Sequence, residues 1–268
     1  MTAPTESPTP ERRETRVTAQ TESPTPERRE TRVTAQTEST TPERRENRVT
    51  AQTDSPFPES GGGWVVVVPV KPAAHGKSRL DVPGADRIAL ARAIALDTIA
   101  AAAACELVER VVVVTDDGSI PLNATDTPRL RFVPEGDAGG LDAAIAVGMA
   151  ASTERMPRAA LLGDLPALRP SHLAEALRAA ASLPRAVVAD AEGTGSTLVT
   201  ASRGVSWESA FGDGSFARHV ALGCVALAIP DASTLRRDVD TVEQLRAAVA
   251  LGAGPRTTAV LGGAARTR

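Results

Sequence analysis

Two runs of four consecutive valines, at residues 65–68 and 111–114, do most to limit what this chain can fold into. β-Branched side chains are stiff and pack well on a pleated surface, and a run without polar alternation suits a strand buried on both faces of a sheet. The first run lies in WVVVVPV, directly after Gly61-Gly62-Gly63, where the composition changes abruptly, so the folded part is expected to start there. Such a sheet needs helices above and below it. The pattern predicts helices over about 86–104, 141–151 and 171–181, and a last helix opening at Thr241 with Glu243 in its first turn. Strands are expected at 111–114, 159–162, near 186–188 and at 225–229, with a further strand-like stretch at Leu198-Val199-Thr200. This alternation predicts an α/β fold, a doubly wound, mostly parallel sheet in three α/β/α layers, over residues 61–257, with 258–268 as a flexible C-terminal tail.

Residues 5–20 read TESPTPERRETRVTAQ, residues 21–36 repeat them identically, and 37–52 repeat them with two changes. Each copy carries three Glu and three Arg and has Val as its only large aliphatic residue. Such a unit cannot bury enough surface to offset chain entropy, so 1–60 is read as a disordered tail rather than a solenoid.

The net charge of -3 and the lack of a basic run disfavour nucleic acid as a partner. No apolar run approaches the roughly 20 residues of a membrane span. The opening MTAPTESPTP lacks the basic and apolar regions of a secretory signal, and two distant cysteines, Cys105 and Cys224, indicate no disulfide framework. A cytoplasmic location without membrane contact is expected.

In open α/β sheets ligands sit beyond the carboxyl ends of the strands, which directs attention to the residues after each apolar run. The first run leads into Lys71 and then AAHGKSRL, which gathers Lys71, Lys77 and Arg79 near a glycine, a composition suited to phosphate. It is not a P-loop, because Lys71 stands where that motif needs its first glycine. Gly163-Asp164-Leu165-Pro166 places an aspartate after another strand, and Asp238-Val239-Asp240-Thr241 offers two carboxylates facing one way on an extended segment ahead of a helix that Thr241 can cap. Magnesium favours one or two carboxylates plus substrate phosphates and water, so Asp164 with Asp238 or Asp240 makes a reasonable site. Gly193-Thr194-Gly195-Ser196 and Phe211-Gly212-Asp213-Gly214-Ser215 can wrap an anion through N–H and hydroxyl donors, although either alone reads equally as a turn. His75, His172 and His219 have no metal spacing, and His219, four residues after Ser215, is the one with a functional reading.

Taken together and in order, these motifs resemble the guanylyltransferases that make the phosphodiester precursor of the deazaflavin coenzyme F(420), acting on 2-phospho-L-lactate or phosphoenolpyruvate. The resemblance covers about residues 64–257 and implies a nucleotide-diphospho-sugar (MobA-like) nucleotidyltransferase fold. It also implies GTP and a small phosphorylated three-carbon acid as substrates, Mg2+ as cofactor, and transient contact with the next pathway enzyme. By position it makes Asp164 and Asp238 metal ligands with Asp240 nearby, sets Lys71, Ser196, Gly212, Ser215 and His219 around the acid, and gives Lys77 and Arg79 to the GTP phosphates. The family usually has threonine at Ser196 and Leu-Asn at Leu141-Asp142. Asp142 is therefore expected on the nucleotide side, accepting hydrogen bonds from guanine. Only two of the 30 basic residues are lysine, a bias that favours an actinobacterial source and hence phosphoenolpyruvate. The competing readings are a nucleotidyltransferase for another phosphorylated acceptor, whose usual LxGGxSxRMG loop is missing, and a non-catalytic nucleotide-binding module recruited through the repeats.

Overall fold

In the computed structural model, which describes residues 62–73 and 80–266, the valine runs become neighbouring central strands. β1 (Trp64–Pro69) pairs in parallel with β2 (Val108–Val114), Val66 facing Val111 and Val68 facing Val113. Every residue of β1 is buried, and its alternation divides the run between two layers. Val66 and Val68 pack toward α1 (Arg87–Ala104) and α4 (Pro170–Ala180), while Val65 and Val67 join α3 (Leu141–Ala150) and Phe216 on the opposite face. Asp86 caps α1, its carboxylate accepting from the Ile88 and Ala89 amides at 2.8 and 3.3 Å.

Among the described residues seven strands form one sheet in the order β3-β2-β1-β4-β6-β5-β7, where β3 is Leu130–Val133, β4 Arg158–Leu161, β5 Arg185–Ala189, β6 Ser196–Ala201 and β7 Val225–Ala226. With its helical layers this is a three-layer α/β fold. β6 alone runs against its neighbours, β4 and β5. The link from Asp190 to Gly195 is too short for a parallel crossover, which takes about a dozen residues or more, so the chain turns back at once. β3, the short α2 (Ser119–Asn123), α5 (Ser215–Ala221) and a 3-10 turn at Thr234–Arg236 add to the elements expected from the pattern.

The C-terminal expectation is corrected. α6 (Val242–Ala250), capped by Thr241 in a capping box with Gln244, is not the last helix, and residues 258–266 are not a tail. They form most of α7 (Pro255–Arg266), whose Val260 and Leu261 pack on Leu90, Ile94, Leu245 and Ala248. The Asp97 carboxylate on α1 receives the Arg256 and Thr257 amides at 3.2 and 2.8 Å, a helix start supplied from a distant part of the chain. The expectation for residues 1–60 lies outside the described residues, as do Lys77 and Arg79. Among the described residues no helix is long and apolar enough to cross a membrane.

Candidate active site

Beyond the carboxyl ends of β1, β2 and β4 opens a cavity of about 470 Å³ lined by Lys71, Asp164, Ser196, Gly212, Ser215, Asp238 and Asp240. Lys71 follows β1 directly. Gly163 lets the exit of β4 lie against that of β1, since a Cβ there would come 2.8 Å from the Pro69 carbonyl oxygen. The Val239 amide donates to the Asp164 carbonyl at 3.0 Å and so stitches the 238–240 segment to the end of β4. Segments far apart in sequence thereby bring Asp164, Asp238 and Asp240 to one crevice, joined by Asp190 at the end of β5.

These carboxylates shape the local field. Burial, and then the charges of Asp164, Asp190 and Asp240, hold the Asp238 carboxyl well above the ordinary carboxylate range. Among the described residues its buried Oδ1 has no hydrogen-bond partner. Among the described residues no group of three or more His, Cys, Asp or Glu side chains is arranged to hold a metal by itself, so Asp164, Asp238 and Asp240 do not form a ready-made three-carboxylate site. Asp240 is exposed, and its amide donates to Gln244 Oε1 at 2.8 Å. A hard divalent cation that takes most of its oxygens from water and substrate phosphate still fits, because it would satisfy the orphaned Asp238 oxygen and offset the crowded negative charge.

Two expected contacts turn inward instead. Asp142 is not on the cavity wall; its Oδ1 accepts from Ser209 Oγ at 2.7 Å and from the Phe211 amide at 3.1 Å, tying that turn to α3. His219 is wholly buried, with Nδ1 2.9 Å from Ser196 Oγ and Nε2 accepting from the Ala210 amide at 2.9 Å. Burial holds its imidazolium down at about 4. The glycine-rich loop at 193–195 also departs from expectation. Its Thr194 and Gly195 amides donate to the Asp190 carboxylate at 2.9 and 2.6 Å, so they are spent within the protein. The second loop lines the cavity, with Gly212 and Gly214 at φ 107° and 68°, values that side chains disfavour. Arg218 grips the loop from outside, donating to the carbonyls of Ala210, Phe211 and Asp213.

Residues 64–262 match the family model described as guanylyl transferase CofC like. The chain belongs to the CofC-like guanylyl transferase family. It is 50% identical over 203 residues to a phosphoenolpyruvate guanylyltransferase of Thermomonospora curvata, spanning 74% of this chain and 88% of that one. It is 48% identical over 202 residues to the Streptomyces coelicolor protein of the same name, spanning 74% and 95%. A solved 4-diphosphocytidyl-2C-methyl-D-erythritol synthase from Anaerococcus prevotii superposes with a TM-score of 0.49 at 12% identity, over 70% of this chain and 95% of that one. As a member of this family the protein is a nucleotidyltransferase.

Within this guanylyl transferase, three cavity residues escaped the sequence reading. Asp190 follows the strand-like Ala186-Val187-Val188, and Asp117 follows the second valine run, so the strand-end rule that selected Asp164 covers both. Arg92 on α1 carried no such signal; it donates to Asp117 through Nε at 2.8 Å and through an Nη at 3.2 Å. Burial opposes ionisation of Asp117, but hydrogen bonds from Arg92 and Ser119 prevail and hold its carboxyl down at about 2.

Proposed function

We propose that this protein transfers GMP from GTP to phosphoenolpyruvate, releasing pyrophosphate and giving the diphospho-5'-guanosine precursor of coenzyme F(420). The observation that carries this reading is the 50% identity, over 203 residues, to a protein named for that activity. A phosphate oxygen of the acid attacks the α-phosphorus of GTP in line; the new P–O bond forms as the bond to the pyrophosphate oxygen breaks. The attacking phosphate is already ionised near pH 7, so no general base is required, and the protein contributes positioning and charge.

Lys71, at the end of β1, neutralises the phosphate oxygens of the acid, and Lys77 and Arg79 meet those of GTP. Ser196, Gly212 and Ser215 surround the acid from the β6 side of the crevice. When bound, Mg2+ would be held by Asp164 and Asp238, with Asp240 beside them, and would draw charge from the phosphates. The reaction is assigned to the cytoplasm, where the labile product passes to the next pathway enzyme by transient contact; nucleic acid and membrane are not partners.

The test is pyrophosphate release from GTP and Mg2+ with phosphoenolpyruvate, 2-phospho-L-lactate and 3-phosphoglycerate offered separately, the next pathway enzyme present to trap product. Release with phosphoenolpyruvate alone is expected. Release only with 2-phospho-L-lactate would move the acceptor, and silence with all three on folded protein would refute guanylyl transfer to such acids.

A further inference from the structure

His219 lies one layer behind the cavity, between the first residue of β6 and the turn that carries Gly212 and Ser215. A backbone amide can only donate, so the Ala210 N–H at 2.9 Å obliges Nε2 of His219 to be the unprotonated nitrogen. A neutral imidazole then carries its proton on Nδ1, which lies 2.9 Å from Ser196 Oγ. The ring therefore donates toward the serine, with the Ser215 carbonyl as a second acceptor nearby, and a lone pair of Oγ is engaged. Among the described residues the Ser196 hydroxyl has no other hydrogen-bond partner, and Ser196 lines the cavity. The Phe211 ring packs edge-on against the imidazole, with centroids 4.8 Å apart and planes at 69°, and fixes its rotation.

We propose that His219 is a positioning residue that holds the Ser196 hydroxyl as a hydrogen-bond donor toward an oxyanion of the phosphorylated acid and at the same time pins the turn leading to Gly212 and Ser215. The acid part of this rests on the function proposed above. A serine without such a neighbour rotates freely and presents lone pairs to an anion as readily as its proton; a hydroxyl with one lone pair engaged offers the proton. The residue acts through Ser196 and the turn, not by touching substrate.

The histidines supply an internal control. The Thr234 amide donates to Nδ1 of His172 at 3.0 Å, so the two described histidines hold opposite tautomers. Nitrogen NMR of the full chain labelled in its three histidines should find one ring protonated on Nδ1 near neutral pH, and the signal should vanish in His219→Gln. A His219 ring protonated on Nε2 overturns the proposal whatever the variants do.

The kinetic arm separates the two roles. The amide of His219→Gln reaches the Nε2 position, keeping an acceptor for Ala210 and losing the donor to Ser196. His219→Asn keeps a donor near the Nδ1 position and frees the Ala210 amide. With pyrophosphate release as the readout, His219→Gln should raise KM for phosphoenolpyruvate about tenfold with KM for GTP unchanged, the loss typical of one directed hydrogen bond. Adding Ser196→Ala to it should change KM less than about twofold, because the pair acts as a unit. His219→Asn should keep KM within about threefold. Equal rises in both KM values, or additive losses with Ser196→Ala, would show a packing role only and overturn the proposal. A wild-type chain silent with every acid would refute the proposed function instead, and leave the tautomer result standing on its own.

Discussion

Replacing Asp97 by alanine removes the start of α7 without touching the crevice. The carboxylate is 4% exposed and accepts two amides of the first helical turn, from Arg256 at 3.2 Å and Thr257 at 2.8 Å. A hydrogen bond to a charged group contributes about 1.5–3 kcal/mol, and a buried donor left unmade costs a comparable amount. The Arg256 guanidinium stands 3.9 Å away on a partly exposed side chain and adds little. Two such bonds, the shorter one fully buried, give a loss of about 3–5 kcal/mol. For a folded part of this size each kcal/mol moves Tm by about 2–4 °C, so Asp97→Ala should melt about 6–20 °C lower. Asp97→Asn, which keeps one acceptor, should lose about half as much. Urea unfolding followed by circular dichroism measures the difference, and hydrogen exchange should show α7 opening first. A loss below about 1 kcal/mol, or an equal loss in a chain cut after Gly254, would refute the reasoning.

Three other outcomes are expected. The neutral form of His219 is favoured in the fold, with its ionisation lowered from 6.5 to about 4 by burial, opposed by the charge of Asp142 and aided by that of Arg218. Between those values the unfolded chain binds the extra proton, so stability is unaffected above pH 6.5 and falls by about 3 kcal/mol as pH drops to 4; urea titrations across that window should find His219→Gln free of this component. Asp238→Asn should stabilise the fold by about 1 kcal/mol or more, since it relieves a buried carboxylate facing Asp164, Asp190 and Asp240, while lowering turnover by at least about a hundredfold; thermal melts paired with pyrophosphate release test both halves. Asp142→Asn should leave the preference for GTP over ATP unchanged and raise KM for the acid a few-fold, because Asp142 holds the Ser209 to Phe211 turn; an altered base preference in a nucleotide panel would return Asp142 to the nucleotide side.

The valine runs and the alternation around them carried the layered fold, and the strand-end rule carried Asp164, because burial on two faces leaves a plain apolar signature and the crevice lies where such strands end; Asp238 was legible through its paired spacing with Asp240 ahead of α6. The direction of β6 had no such signature: a short apolar strand reads the same along either axis, and only the brevity of the Asp190 to Gly195 link reveals the reversal. α7 was illegible because it is sparsely apolar and its start is supplied by Asp97, far away in sequence. The amides at 194 and 195 looked available because nothing in Gly-Thr-Gly announces that Asp190 consumes them. His219 drew attention through its motif, but whether an imidazole meets solvent or stands behind the wall depends on where α5 lands.

The reversed strand has a consequence for how such an enzyme changes over generations. Lys71, Arg92 and Asp117 come from the parallel half of the sheet, whereas Asp190, Ser196, Gly212 and Ser215 come from one hairpin and the segment that follows it, and the halves meet along the seam where Leu161 faces Leu198. Insertions or swaps at the hairpin end leave the pairing of β1, β2 and β4 untouched. Under the proposed assignment, in which that stretch holds the acid, a lineage can trade one acceptor for another by rewriting it, while Lys71, Arg92 and Asp117 on the far side of the seam are inherited unedited.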